Sequence, residues 1–82
     1  MAMDTVRKKQ VTEAFGRRVR RLRHERGWTI EELAFAAELH PTYVGSVERG
    51  ERNLALVNIV RLARALGLDP ADLVAGLGKE PA

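Results

Sequence analysis

Eighty-two residues, 45% of them hydrophobic, are enough for one small core and too apolar for a disordered chain. With no cysteine, the chain has neither a disulfide framework nor a thiolate metal site. The net charge of +3 is spread unevenly: residues 1–26 hold nine Lys/Arg against three acids, and residues 27–82 hold five against eight. That asymmetry points to a polyanion on one side of the molecule. No apolar run reaches the length of a membrane span, and Met1–Gln10 lacks the apolar core of a signal peptide, so a cytoplasmic protein is expected.

In chain order, residues 1–11 show no sustained apolar period and read as a flexible basic arm. A first helix is expected over Thr12–Arg26, with Phe15, Val19 and Leu22 on one stripe, arginines on most other positions and Gly27 as its stop. A second begins after Thr29, where Thr29 and Glu32 have capping-box spacing, and runs to about Glu38 with Leu33, Ala34 and Ala37 inward. A third starts at Pro41, a residue suited to the first helical position, with His40 as its cap and Val44 and Val47 inward; Gly50 closes it. A fourth spans about Ala55–Leu66, and Asp69-Pro70 opens a fifth over Pro70–Ala75. Residues 76–82 read as a tail. No strand pattern, repeat or low-complexity segment occurs. The expected fold is therefore all-α, five helices in a single domain over residues 12–75.

The second and third helices are short and about three residues apart, the spacing of a helix-turn-helix. The third presents Thr42, Tyr43, Ser46 and Arg49 away from its packing side. Thr42 and Ser46 can exchange hydrogen bonds with base edges, and Tyr43 can stack on a methyl or bond a phosphate. Gly45 leaves room for DNA. An ordinary amphipathic helix with a solvated polar face has the same spacing, so spacing alone leaves the choice open.

The segments "RRLRHERGWT" (20–29), "EELA" (31–34), "YVGSVERGERN" (43–53) and "IVRLARALGLDP" (59–70) stand in the order and spacing of a known family. The stretch resembles the Cro-and-phage-repressor type of helix-turn-helix, the XRE family, and looks closest to the controller proteins of restriction–modification systems. The resemblance implies a lambda-repressor-like fold, with the third helix in the major groove and Thr42, Tyr43, Ser46 and Arg49 reading bases. It implies a structural ion pair between Arg23 and Glu48. Phosphate contacts are expected from Arg17, Arg23, Thr29, Arg52 and Asn53. The chain departs from the family at Ile30, where a glutamine commonly binds phosphate, and at Pro41, which cannot donate to a base. Glu38 stands where the turn often has glycine, and Ala55 where the fourth helix is commonly capped by Ser or Thr, so that cap weakens or moves to Asn53.

One recognition helix reads few base pairs, so a homodimer on a palindromic operator is expected. The apolar surplus of the last two helices would form it, with Leu56, Val60, Leu73 and Val74 at the interface. The same surplus could instead close the monomer core. The expected partners are double-stranded DNA and a second copy of the chain, with RNA polymerase as a further one. No cofactor or metal is expected, since His24 and His40 have no third ligand cluster beside them. The residues hold no nucleophile–base pair or phosphate-binding glycine loop, so an enzyme is not expected. An antitoxin of the same fold and a protein-interaction module are the alternatives. Trp28 should pack at the corner of the first two helices, and Phe35 is either a core flank or a partner contact.

Overall fold

A computed structural model describes residues 4–79. Its helices are α1 (Thr5–Glu25), α2 (Ile30–Ala37), α3 (Pro41–Glu48), α4 (Leu56–Ala65) and α5 (Pro70–Val74), and no strand occurs among the described residues. Helix α1 packs against α3 and α5, α2 against α3 and α4, and α4 against α5. The core between them is Phe15, Val19, Leu33, Ala34, Ala37, Val44, Val47, Leu62, Ala63, Leu66 and Leu73. The inward stripes expected on the second and third helices are all in it.

The basic arm is corrected over most of its length. Helix α1 starts at Thr5, seven residues before the expected Thr12; only residues 1–3 of that segment lie outside the described residues. Asp4 is its cap, accepting from the Arg7 amide at 2.8 Å. The added turns are exposed, so they need no apolar stripe. They extend a helix already nucleated by packing, which costs far less than starting one. The tail is corrected in part: Leu77 packs against the core, while residues 80–82 lie outside the described residues.

Helix α1 crosses α3 closely at Gly16. A Cβ there would lie 2.7 Å from the Glu48 carbonyl oxygen and nearer still to that of Val47. Glycine lowers helix propensity by about 1 kcal/mol relative to alanine, and this approach is what requires it. Two arginines of α1 and its end act as struts. Arg18 donates to the Leu73 carbonyl at 2.8 Å and Arg26 to the Leu66 carbonyl at 3.1 Å. These bonds meet carbonyls at the ends of α5 and α4 that lack full intrahelical partners. Arg26 also lies over the half-buried Trp28 ring, 4.6 Å from its centroid.

Candidate nucleic-acid interface

The two helix starts are built as the residues require. Thr29 Oγ1 accepts from the Glu32 amide at 3.1 Å, and Glu32 Oε1 accepts from the Thr29 amide at 2.8 Å. His40 caps α3 through Nδ1, which accepts from the Thr42 amide at 3.1 Å. Between them, Glu38 ends α2 in the left-handed region (φ 58) and the Leu39 amide reaches back to the Ala34 carbonyl at 2.9 Å. This tight reversal sets α3 across the end of α2.

Beneath the pair sits the ion pair that the family resemblance implied. Arg23 Nε and one terminal nitrogen donate to the two Glu48 carboxylate oxygens at 2.7 and 2.9 Å, and the other terminal nitrogen donates to the Trp28 carbonyl at 2.8 Å. Arg23 is 7% exposed. The Glu48 hydrogen bonds raise its pKa further, against the effect of burial. Three of its five N–H donors are thus engaged within the protein, so Arg23 holds α1 to α3 while still lining the groove between the start of α2 and α3.

An open groove runs between the start of α2 and α3, lined by Arg23, Thr29, Ile30, Glu31, Pro41, Thr42, Gly45 and Arg49. Thr42 and Arg49 are exposed on it. Arg49 forks onto Glu51 at 3.0 and 3.2 Å. That hydrogen-bonded guanidinium holds the Glu51 carboxyl below the usual carboxylate range. Gly45 is buried, with the Arg49 guanidinium beside the position of its missing Cβ.

Ser46 is not on this face. It is 4% exposed, its hydroxyl donates to the Tyr43 carbonyl at 2.7 Å, and it accepts from Arg52 Nε at 2.9 Å. The expectation that it reads a base is corrected, because the residue turns toward the loop after α3. Tyr43 is half-buried and held in place: Arg52 lies over its ring, and its hydroxyl accepts from Asn58 Nδ2 at 3.1 Å. Asn58 was not among the expected site residues. Nothing in its local sequence distinguishes it from a solvated position on the fourth helix. Arg52 therefore braces α3 while remaining exposed itself, and Arg17 and Asn53 are exposed. Asn53 does not cap α4; the N-cap is Ala55, with no side-chain hydrogen bond.

The apolar surface is also redistributed. Leu73 is fully buried in the monomer core, and Val60 is half-buried. Leu73 is therefore corrected from interface to core, where it fills the junction of α4, α5 and α1. The large apolar side chains left exposed on α4 and α5 are Leu56 (73%), Val57 (60%) and Val74 (41%). Phe35 is 88% exposed on the outer side of α2, which excludes the core-flank reading.

A short helix pair braced by a buried ion pair, with a groove open along the second helix, defines a helix-turn-helix DNA-binding domain of the transcription-regulator class. The comparisons agree: the helix-turn-helix domain family matches residues 14–75, and the chain belongs to it. Control protein C.BamHI of Bacillus amyloliquefaciens is 44% identical over 61 residues, covering 73% of this chain and 75% of that protein. Among solved structures, the restriction–modification controller protein C.AhdI from Aeromonas hydrophila is 49% identical with a TM-score of 0.72, covering 77% of this chain and 94% of that one. The hypothetical transcription factor NHTF from Neisseria is 37% identical with a TM-score of 0.75, covering 82% and 77%.

Proposed function

We propose that the chain is a controller protein of a restriction–modification system, binding a palindromic operator as a homodimer. The observation that carries this is the groove itself. It places exposed Thr42 and Arg49 on one helix face, at the N-terminal end of a second helix, on a scaffold shared with proteins named as controllers. Arg49 can pair with a guanine edge, Thr42 can contact a base or a thymine methyl, and Tyr43 contributes the part of its ring that Arg52 leaves uncovered. The first-turn amides of α2 offer a phosphate site in place of the side chain that Ile30 lacks. Arg17, Thr29, Arg52 and Asn53 supply further phosphate contacts. Glu31, also on the groove, sets a like charge against phosphate and sharpens positioning.

The homodimer forms through Leu56, Val57 and Val74, with Val60 at its edge. Its two-fold axis spaces the recognition helices by about 34 Å, one turn of DNA. Phe35 is left as a contact for a protein partner, RNA polymerase at the adjoining promoter being the one such a regulator meets. The activity is binding, with no catalytic step, and takes place in the cytoplasm.

Selection of sites from random duplex DNA with the purified protein tests the reading. A palindrome with half-sites about ten base pairs apart is the expected product. Arg49→Ala should then lower preference for the selected site by about 1–3 kcal/mol relative to random DNA. Enrichment of no sequence, or equal loss on selected and random duplexes, would overturn it.

A further inference from the structure

The family match begins at residue 14, yet α1 begins at Thr5. The chain thus carries more than two helical turns ahead of the residues that the family model matches, and they hold Arg7, Lys8 and Lys9. These turns do not point into empty solvent. Together with the segment leaving α3, residues 49–53, they wall a second surface groove whose charged lining is Lys8, Lys9, Arg49 and Arg52 against Glu13 and Glu51. Glu51 is held in the Arg49 fork, and the Glu13 stem lies against Gly50, where a Cβ would stand 2.7 Å from the Glu13 Cα. Lys8 and Lys9 are exposed. Arg49 lines this groove and the α2–α3 groove alike, so the two meet at the C-terminal end of α3.

We propose that this second groove seats the phosphodiester backbone of the duplex just beyond the bases that α3 contacts, with Lys8 and Lys9 as phosphate ligands added by the helical extension. A strand leaving the recognition groove past Arg49 meets a channel whose cations outnumber its acids. The helix fixes the backbone that carries both lysines before binding, so less backbone freedom is lost than from a flexible arm. The inference rests on the DNA-binding reading above and deepens it: these contacts lengthen the footprint and add affinity without adding sequence preference.

The test uses the full chain and the selected operator, in duplexes with short and with long flanks, over 50–200 mM salt. Lys8→Ala/Lys9→Ala is compared with wild type by fluorescence anisotropy. Both protomers of the homodimer carry the two lysines, so loss of four phosphate contacts on the operator should make the log–log salt dependence shallower by about 3.6, and the fourfold rise in salt weakens wild type about 150-fold more than the variant. Wild type should gain affinity from long flanks and the double variant should not, while preference for operator over random DNA stays equal in both. Lys8→Arg/Lys9→Arg should keep the wild-type slope, and matching circular dichroism of all three proteins verifies the fold. Equal slopes in wild type and the alanine variant, or a slope change that persists unaltered on short flanks, would overturn the proposal. Wild type that binds no duplex at all would instead overturn the DNA reading beneath it.

Discussion

Arg23 shows how a charged residue on a basic helix can serve the fold more than the ligand. Most arginines of α1 face water, but this one turns inward and spends its donors on Glu48 and the Trp28 carbonyl. Removing one partner leaves the other as an unpaired buried charge. Glu48→Ala is therefore expected to destabilise the domain by about 3–5 kcal/mol, read as a lower midpoint in urea unfolding. Because α3 is held to α1 by this pair, the loss should reach both site-specific and random DNA binding as the native fraction falls. Arg52 serves a similar bracing role: its bond to Ser46 and its place over Tyr43 tie the loop after α3 to the recognition helix, and Asn58 ties the same tyrosine to α4. A hydroxyl that sequence spacing offers to DNA is thereby used inside the protein.

At the scale of the elements, the decisive joint is the reversal between α2 and α3. Glu38 takes a left-handed conformation there with a Cβ in place, which costs roughly 1–2 kcal/mol relative to glycine. Glu38→Gly should relieve that strain but lose freedom on folding, leaving a net gain of about 0.5–1 kcal/mol. Thermal unfolding checks the sign; a loss of stability would show that the Glu38 side chain contributes more than its conformation costs. This position was legible beforehand, because the family turn often has glycine and the chain does not. The starts of α2 and α3 were legible as well, since Thr29, Glu32 and Pro41 act within a few residues of themselves. The start of α1 was not. Its first turns are exposed and do not pack into the core, so the apolar periodicity that marks a packed helix is absent there, and only Asp4 marked the boundary.

For the whole molecule, the question is which apolar residues the monomer consumes. Helices α1, α4 and α5 enclose Leu73 completely, while Leu56, Val57 and Val74 stay outside. The proposed dimer therefore predicts that Val57→Asp sediments at monomer mass with its helical circular dichroism retained, and with an unfolding midpoint lowered by the loss of association. Its affinity for the palindrome should drop by about 100-fold or more, because two linked half-sites no longer bind together. A Val57→Asp protein that still sediments as a dimer would place the interface elsewhere.

The amino-acid sequence was sufficient for the all-α class, the number and order of the helices and the caps of α2 and α3, which depend on periodicity and on residues a turn or less apart. The helix-turn-helix came from the family resemblance, since spacing left it open. The partition of Leu73 and Ser46 into the interior, the engagement of Arg23 and Arg52, and the groove formed by Lys8 and Lys9 with residues 49–53 came only with the tertiary structure. Each depends on which distant segment covers a given side of a helix. A helical stripe shows that a face is apolar or polar without showing what lies against it.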